Sequence, residues 1–280
     1  MINRNGEMGY PYLFMGTYQM GQKKQAQRLL VSALQQGIRA FDTAPSYGTE
    51  QTLGEALQQG IKKFSINRDE ITIADKIDAW QMQAYEEKIE VVIKEQLQKL
   101  QVDYIDLLLI HWPFRKYFDR VWTGMLQMKR AQLIRQVGVC NVNTRIFHEL
   151  FDYRSLEEQP DVIQVERHPY NTCDDLIQLA MERKITVQAY SPICRMKFDK
   201  KDIAMLNKIG EKYEKTVGQV ILRWHIDTDV IPIVKTSNEK RIAENQDILN
   251  FSLNKEEIMR INALNRNYKL FPESWGCPGF

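Results

Sequence analysis

Residues 71–111 read ITIADKIDAWQMQAYEEKIEVVIKEQLQKLQVDYIDLLLIH, two short apolar runs on either side of an amphipathic stretch. ITIADKI (71–77) and YIDLLLIH (104–111) have the length and branched-residue content of buried strands. Between them, YEEKIEVVIKEQLQKL (85–100) sets Ile89, Val92, Ile93, Gln96, Leu97 and Leu100 at helical spacing, with charges on the other face. A strand, a helix and a second strand in this order predict a helical crossover and a parallel sheet.

The pattern continues in both directions. YLFMGT (12–17) and IRAFDTA (38–44) precede the unit, with KKQAQRLLVSALQQ (23–36) as a helix between them. LIRQVGVCN (133–141), DVIQVER (161–167), ITVQAYS (185–191) and DVIPIVK (229–235) follow it. Eight strand candidates in 280 residues favour a single α/β domain over 1–280, a closed (β/α)8 barrel, rather than an open doubly wound sheet. No strand candidate is followed by the GxGxxG turn of a dinucleotide-binding sheet. Residues 1–11, with Asn5–Gly6 as turn, are expected to form an N-terminal hairpin, and further helices are expected after the eighth strand.

The formal net charge is +2, with basic and acidic residues interspersed, so no stripe for nucleic acid is expected. The four cysteines make no CxxC pair and have no metal-like spacing to the four histidines, so neither zinc nor a disulfide framework is expected. MINRNGEMGY (1–10) lacks the apolar run of a signal peptide, and the longest largely apolar stretch, 105–110, is too short to cross a bilayer. These features predict a cytoplasmic protein without a membrane partner.

The strand ends carry the chemistry. Asp42, Lys76, His111, Asn141, Tyr190 and Lys235 close the second, third, fourth, fifth, seventh and eighth candidates, and Gln164 lies within the sixth. In a barrel those ends open on one face, where active sites are built. Buried strands have little reason to carry charge unless something at the tip uses it. Tyr47, in the loop APSYGTE, can reach the same mouth. A lysine held by Asp42 would draw the phenol below its usual pKa of about 10 and make it a general acid. His111 could then orient or polarise a carbonyl. Each residue alone also reads as an ion pair, a turn tyrosine or a core histidine; their coordinated placement favours chemistry.

Taken together, MGTYQM, FDTAPSYGTEQTLGEAL, ITIADKI, DYIDLLLIHWP, VGVCNVN, QVERHPY, QAYSPI, LRWHI and VKTSNEKRIAENQDIL resemble the aldo-keto reductase family over nearly the whole chain. The resemblance implies an NADPH-dependent barrel enzyme that reduces the carbonyl of a small aldehyde or ketone. Asp42, Tyr47, Lys76 and His111 match its catalytic tetrad, with Tyr47 as proton donor. It further implies cofactor contacts from Gly16, Thr17, Asp42, Asn141, Gln164, Tyr190 and Ser191. Lys235, Thr236, Ser237 and Arg241 would surround the adenosine 2′-phosphate, with Glu244 and Asn245 near the adenine. Trp112 is the leading substrate-pocket candidate; Met20 and Trp122 read as pocket or as packing. The same resemblance suggests that the tail, 271–280, borders the pocket.

Three positions depart from the family pattern. Cys140 stands where a serine is frequent, Asp75 where a small or hydroxyl residue is commoner, and Asp78 where relatives often have tryptophan. Asp75 would raise the Tyr47 pKa if it pointed inward, and Asp78 would make the pocket wall more polar. The alternatives are a non-catalytic nicotinamide-binding sensor on the same barrel and an unrelated barrel hydrolase or isomerase. Neither the physiological substrate nor the oligomeric state is legible in the sequence.

Overall fold

The computed structural model describes residues 11–85, 88–154 and 156–272. Among them are eight strands: β1 (Phe14–Gly16), β2 (Ala40–Asp42), β3 (Thr72–Ile77), β4 (Ile105–Ile110), β5 (Ile134–Cys140), β6 (Val162–Glu166), β7 (Thr186–Tyr190) and β8 (Val230–Val234). They pair in sequence order, all parallel, and β8 returns to β1, closing the barrel. Each lies inside its sequence-predicted run. The runs overshoot because their last residues, such as His111, Asn141 and Lys235, already belong to the mouth.

The helices on the outside are α1 (Lys23–Gln35), α2 (Glu50–Phe64), α3 (Ala79–Ala84), α4 (Ile89–Leu100), α5 (Phe118–Arg130), α6 (Thr144–Phe147), α7 (Asp174–Glu182), α8 (Lys200–Tyr213) and α9 (Val217–Asp227). After β8 come α10 (Glu239–Gln246) and α11 (Lys255–Asn262), the additional C-terminal helices. The six residues of α4 picked out by helical spacing are all buried. Gln96, the polar one, donates its amide nitrogen to the Lys76 backbone carbonyl at 2.6 Å against β3, while its Oε1 is buried without a hydrogen-bond partner among the described residues. No helix among the described residues is long and apolar enough to cross a membrane.

Alternation along the strands sorts the core into two parts. Phe14, Ala40, Ala74, Leu107, Leu109, Cys140 and Val162 fill the barrel interior. Phe41, Ile73, Ile77, Leu108 and Ile110 face outward into the larger core under the helices. Gly138 is required here: a Cβ on it would lie 2.3 Å from the Val162 carbonyl oxygen and 2.5 Å from Leu109. By the same alternation Lys76 points inward and Asp75 outward. The predicted N-terminal hairpin falls on residues 1–10, outside the described residues apart from Pro11, as does the tail beyond residue 272.

Candidate active site

At the C-terminal end of the strands lies a cavity of about 620 Å³, within the size range of small-molecule sites. Its floor is an ion pair. Lys76, fully buried, donates to both Asp42 carboxylate oxygens at 2.8 and 2.7 Å and to the Thr43 carbonyl at 2.8 Å. Three acceptors for three protons leave the ammonium saturated. Burial works against its charge, but the Asp42 carboxylate outweighs it and the lysine pKa is raised. The β2–β3 register, Asp42 opposite Ala74, places the carboxylate one inward position from Lys76.

Tyr47 follows β2 in a 3-10 turn begun by Pro45 and ended by Gly48 in the left-handed conformation (φ 65°). Its ring lies 5.0 Å from the Lys76 ammonium and 5.6 Å, edge-on, from the His111 ring. The expectation of a lowered phenol pKa needs correction. Burial of the phenol pushes its pKa above the ordinary value, and the opposing pull of Lys76 does not overcome it, partly because Asp42 answers that charge. Tyr47 is therefore held protonated.

His111 and Trp112 continue from β4 along the cavity wall, with ring centroids 6.3 Å apart. Asn141, in the left-handed region (φ 59°), donates to the His111 carbonyl at 2.8 Å and accepts from the Tyr190 hydroxyl at 2.6 Å. Gln164 donates to Asp42 at 2.9 Å and to Gln188 at 3.0 Å, which occupies both amide protons. Two hydrogen-bonded groups thus span the mouth, one across β2, β3, β6 and β7 and the other across the ends of β4, β5 and β7.

Of the remaining sequence candidates, Gly16, Ser191 and Lys235 also line the cavity. The Thr17 hydroxyl is instead buried in a triangle with Thr43 (3.0 Å) and Thr49 (2.8 Å). Beyond the mouth, Lys235, Ser237 and Arg241 are exposed around the start of α10, while Thr236 is buried and accepts from the Asn238 amide at 3.0 Å. Glu244 is half-buried and accepts from the Thr216 hydroxyl at 2.9 Å, and Asn245 is half-buried beside it. Met20 and Trp122 are core residues; Trp122 donates to the Glu158 carbonyl.

The departures resolve differently. Asp75 points away from Tyr47: one oxygen accepts the Lys76 amide at 2.8 Å, and burial followed by the neighbouring Glu50 charge raises its pKa well above the usual range. Cys140 is fully buried in the barrel interior. Asp78 contacts the His111 ring.

Sequence reasoning missed Tyr18, Ser46 and Arg195 at the cavity, which Phe271, the first residue of the tail expected at the pocket, also lines. Tyr18 packs 5.1 Å from Tyr47, and its place just past β1 was the available signal. Phe271 is brought to the rim by Glu166, whose buried carboxylate accepts the Leu270 and Phe271 amides at 2.6 and 2.8 Å. Cys194, Arg195 and Met196 form three consecutive left-handed residues (φ 48°, 51° and 57°), which set Arg195 at the cavity and over the Phe271 ring.

The model of the Aldo/keto reductase family matches residues 12–266, from β1 to beyond α11. The chain belongs to this family. It is 34% identical over 263 residues to the glyoxal reductase of Bacillus subtilis, covering 94% of this chain and 91% of that protein. It is 32% identical over 265 residues to the methylglyoxal reductase DkgA of Escherichia coli strain K12, covering 94% and 92%. The structure resembles that of the Bombyx mori aldo-keto reductase AKR2E4 in complex with NADP, with a TM-score of 0.87, 29% identity and coverage of 96% and 94%. As an aldo-keto reductase, the protein is an oxidoreductase of carbonyl compounds.

Proposed function

We propose that this aldo-keto reductase reduces a small aldehyde or ketone with NADPH, Tyr47 giving the proton to the carbonyl oxygen. One observation carries the reading: Tyr47 and His111 meet at a cavity wall directly above a buried Lys76–Asp42 pair. The names of its relatives, which act on glyoxal and methylglyoxal, support a small dicarbonyl or aldehyde as substrate. The NADP bound to the Bombyx mori enzyme supports the cofactor.

The residues fit a nicotinamide by their chemistry. Tyr190, half-buried at the cavity, offers an aromatic face. Gln164, with both amide protons engaged, offers its carbonyl oxygen to the carboxamide nitrogen, and Asn141 stands beside it. Ser191 and Arg195 would follow the diphosphate, and Lys235, Ser237 and Arg241 the 2′-phosphate, with Thr236, Glu244 and Asn245 alongside. NADPH, when bound, would supply the hydride that reaches the carbonyl carbon. Tyr47 supplies the proton from its hydroxyl, and Lys76, anchored by Asp42, stabilises the negative charge left on the phenol. His111 and Trp112 position the substrate.

Two outcomes follow. Tyr47 works in its protonated form, so activity is present below its pKa and lost above it. Because that pKa is raised, kcat for reduction should stay flat between about pH 7 and about 9. A pH profile falling through that window would assign the acid elsewhere. Arg241→Ala should weaken NADPH binding by about tenfold to a hundredfold, the scale of a hydrogen bond to a charged group, and leave NADH unaffected. A fluorescence titration showing equal losses for both would make Arg241 structural.

A further inference from the structure

Asp78 has no part in the tetrad, yet it touches the tetrad histidine. The register Ile77 opposite Ile110 makes the next residues on the two strands, Asp78 and His111, neighbours at the mouth. Asp78 Oδ1 lies 2.5 Å from His111 Nδ1, and Oδ2 accepts the Ser46 backbone amide at 2.7 Å. The Ser46 hydroxyl donates to Oδ1 at 3.2 Å. The aspartate is 5% exposed. It therefore ties the Tyr47 loop to the His111 ring through one buried carboxylate.

That contact fixes a proton. Burial pushes the Asp78 carboxyl up, but its hydrogen bonds with His111 and Ser46 outweigh it, and the group stays ionised. An ionised carboxylate only accepts, so Nδ1 must carry the hydrogen. Burial, with help from the Lys76 charge, holds the imidazole pKa below its usual value despite Asp78, so the ring is neutral near pH 7.5. A neutral imidazole has one N–H. With Nδ1 turned to Asp78, Nε2 is left for the cavity as a lone pair.

We propose that Asp78 is a positioning residue that sets substrate specificity: it locks the Nδ1–H tautomer of His111, and the acceptor this leaves at Nε2 selects carbonyl compounds carrying a hydroxyl on the adjacent carbon, including the hydrated form of a neighbouring carbonyl. The substrate half of this statement rests on the reductase reading; the tautomer half does not. A bare carbonyl oxygen presents lone pairs and gains nothing from Nε2, so it depends on Tyr47 alone. A neighbouring hydroxyl donates to Nε2 while the carbonyl oxygen takes the Tyr47 proton. The two rings, 5.6 Å apart, thus read two adjacent oxygens of opposite hydrogen-bonding character.

Asp78→Asn tests this sharply because the Ser46 amide dictates which way the new side chain faces. Its carbonyl must accept from Ser46, so its NH2 meets His111 Nδ1 and drives the ring to the Nε2–H tautomer. Long-range proton–nitrogen NMR should find Nδ1–H at His111 in the wild type and Nε2–H in the variant. Lactaldehyde and isobutyraldehyde differ by hydroxyl against methyl. The ratio of their kcat/KM values should fall about tenfold in Asp78→Asn, the worth of one hydrogen bond. A wild-type Nε2–H tautomer overturns the proposal, and this measurement stands even if the variant does not fold. A switched tautomer with the ratio unchanged within about twofold overturns the specificity role. Failure of the reductase reading shows separately, as wild-type protein with an Nδ1–H histidine that oxidises NADPH with neither aldehyde.

Discussion

Tyr47→Phe is expected to lower the turnover of carbonyl reduction by about 100-fold or more, the scale of general-acid catalysis. The substitution keeps the ring that packs against Tyr18 and His111 and removes only the hydroxyl. NADPH affinity should therefore change little. The loss should fall on kcat, because the proton is transferred in the transition state and not on binding. His111 cannot replace the phenol: its cavity-facing nitrogen carries no proton in the tautomer set by Asp78. A variant that turns over at near wild-type rate, measured by NADPH oxidation, would remove Tyr47 from the mechanism.

The second large effect is on stability as well as rate. Lys76→Met leaves the Asp42 carboxylate buried with its main partner gone, retaining only the Gln164 amide. Breaking a buried pair from one side costs about 3–5 kcal/mol, which for a chain of this size lowers the melting temperature by roughly 10 °C. Adding Asp42→Asn removes the stranded charge, so the double variant should recover most of the stability. Activity should recover in neither, since nothing then stabilises the phenolate left on Tyr47. Thermal melts of the single and double variants check this; equal destabilisation in both would mean that the charges are not a unit.

These two predictions rest on residues that the sequence already marked. Lys76 and Asp42 stand out because a charge inside an apolar run is costly unless paired, so position alone makes them suspects. The barrel was legible for a related reason: strands buried on both faces read as short apolar runs, and eight of them were separated by helical periods. Their ends were not, because residues such as Asn141 and Ser191 leave the strand in left-handed conformations that no periodicity encodes. The direction of the Tyr47 shift was misjudged because the sequence names the nearby lysine but does not show how deeply the phenol is buried, nor that Asp42 answers the lysine charge.

Asp78 was visible as a departure, and its meaning was not. In a parallel pair the residues that follow adjacent strands become neighbours, so Asp78 and His111 could have been paired from register, had the register been known. Glu166 was beyond reach. Its role depends on where residues 270 and 271 return to β6, more than a hundred positions later in the chain. Thr17 shows the converse: it follows a cavity-lining glycine, but its hydroxyl serves a threonine triangle behind the wall.

The most direct test of the central claim is isotope transfer. The purified protein is incubated with NADPH carrying deuterium at both positions of the nicotinamide C4 and with a small aldehyde such as methylglyoxal, and the product is examined by mass spectrometry. The account expects one deuterium on the newly formed carbinol carbon for each NADPH consumed, with transfer abolished or slowed at least about 100-fold in Tyr47→Phe. Binding of NADPH with no labelled alcohol from any member of a diverse carbonyl panel would contradict it and leave a nicotinamide-binding barrel without reductase chemistry.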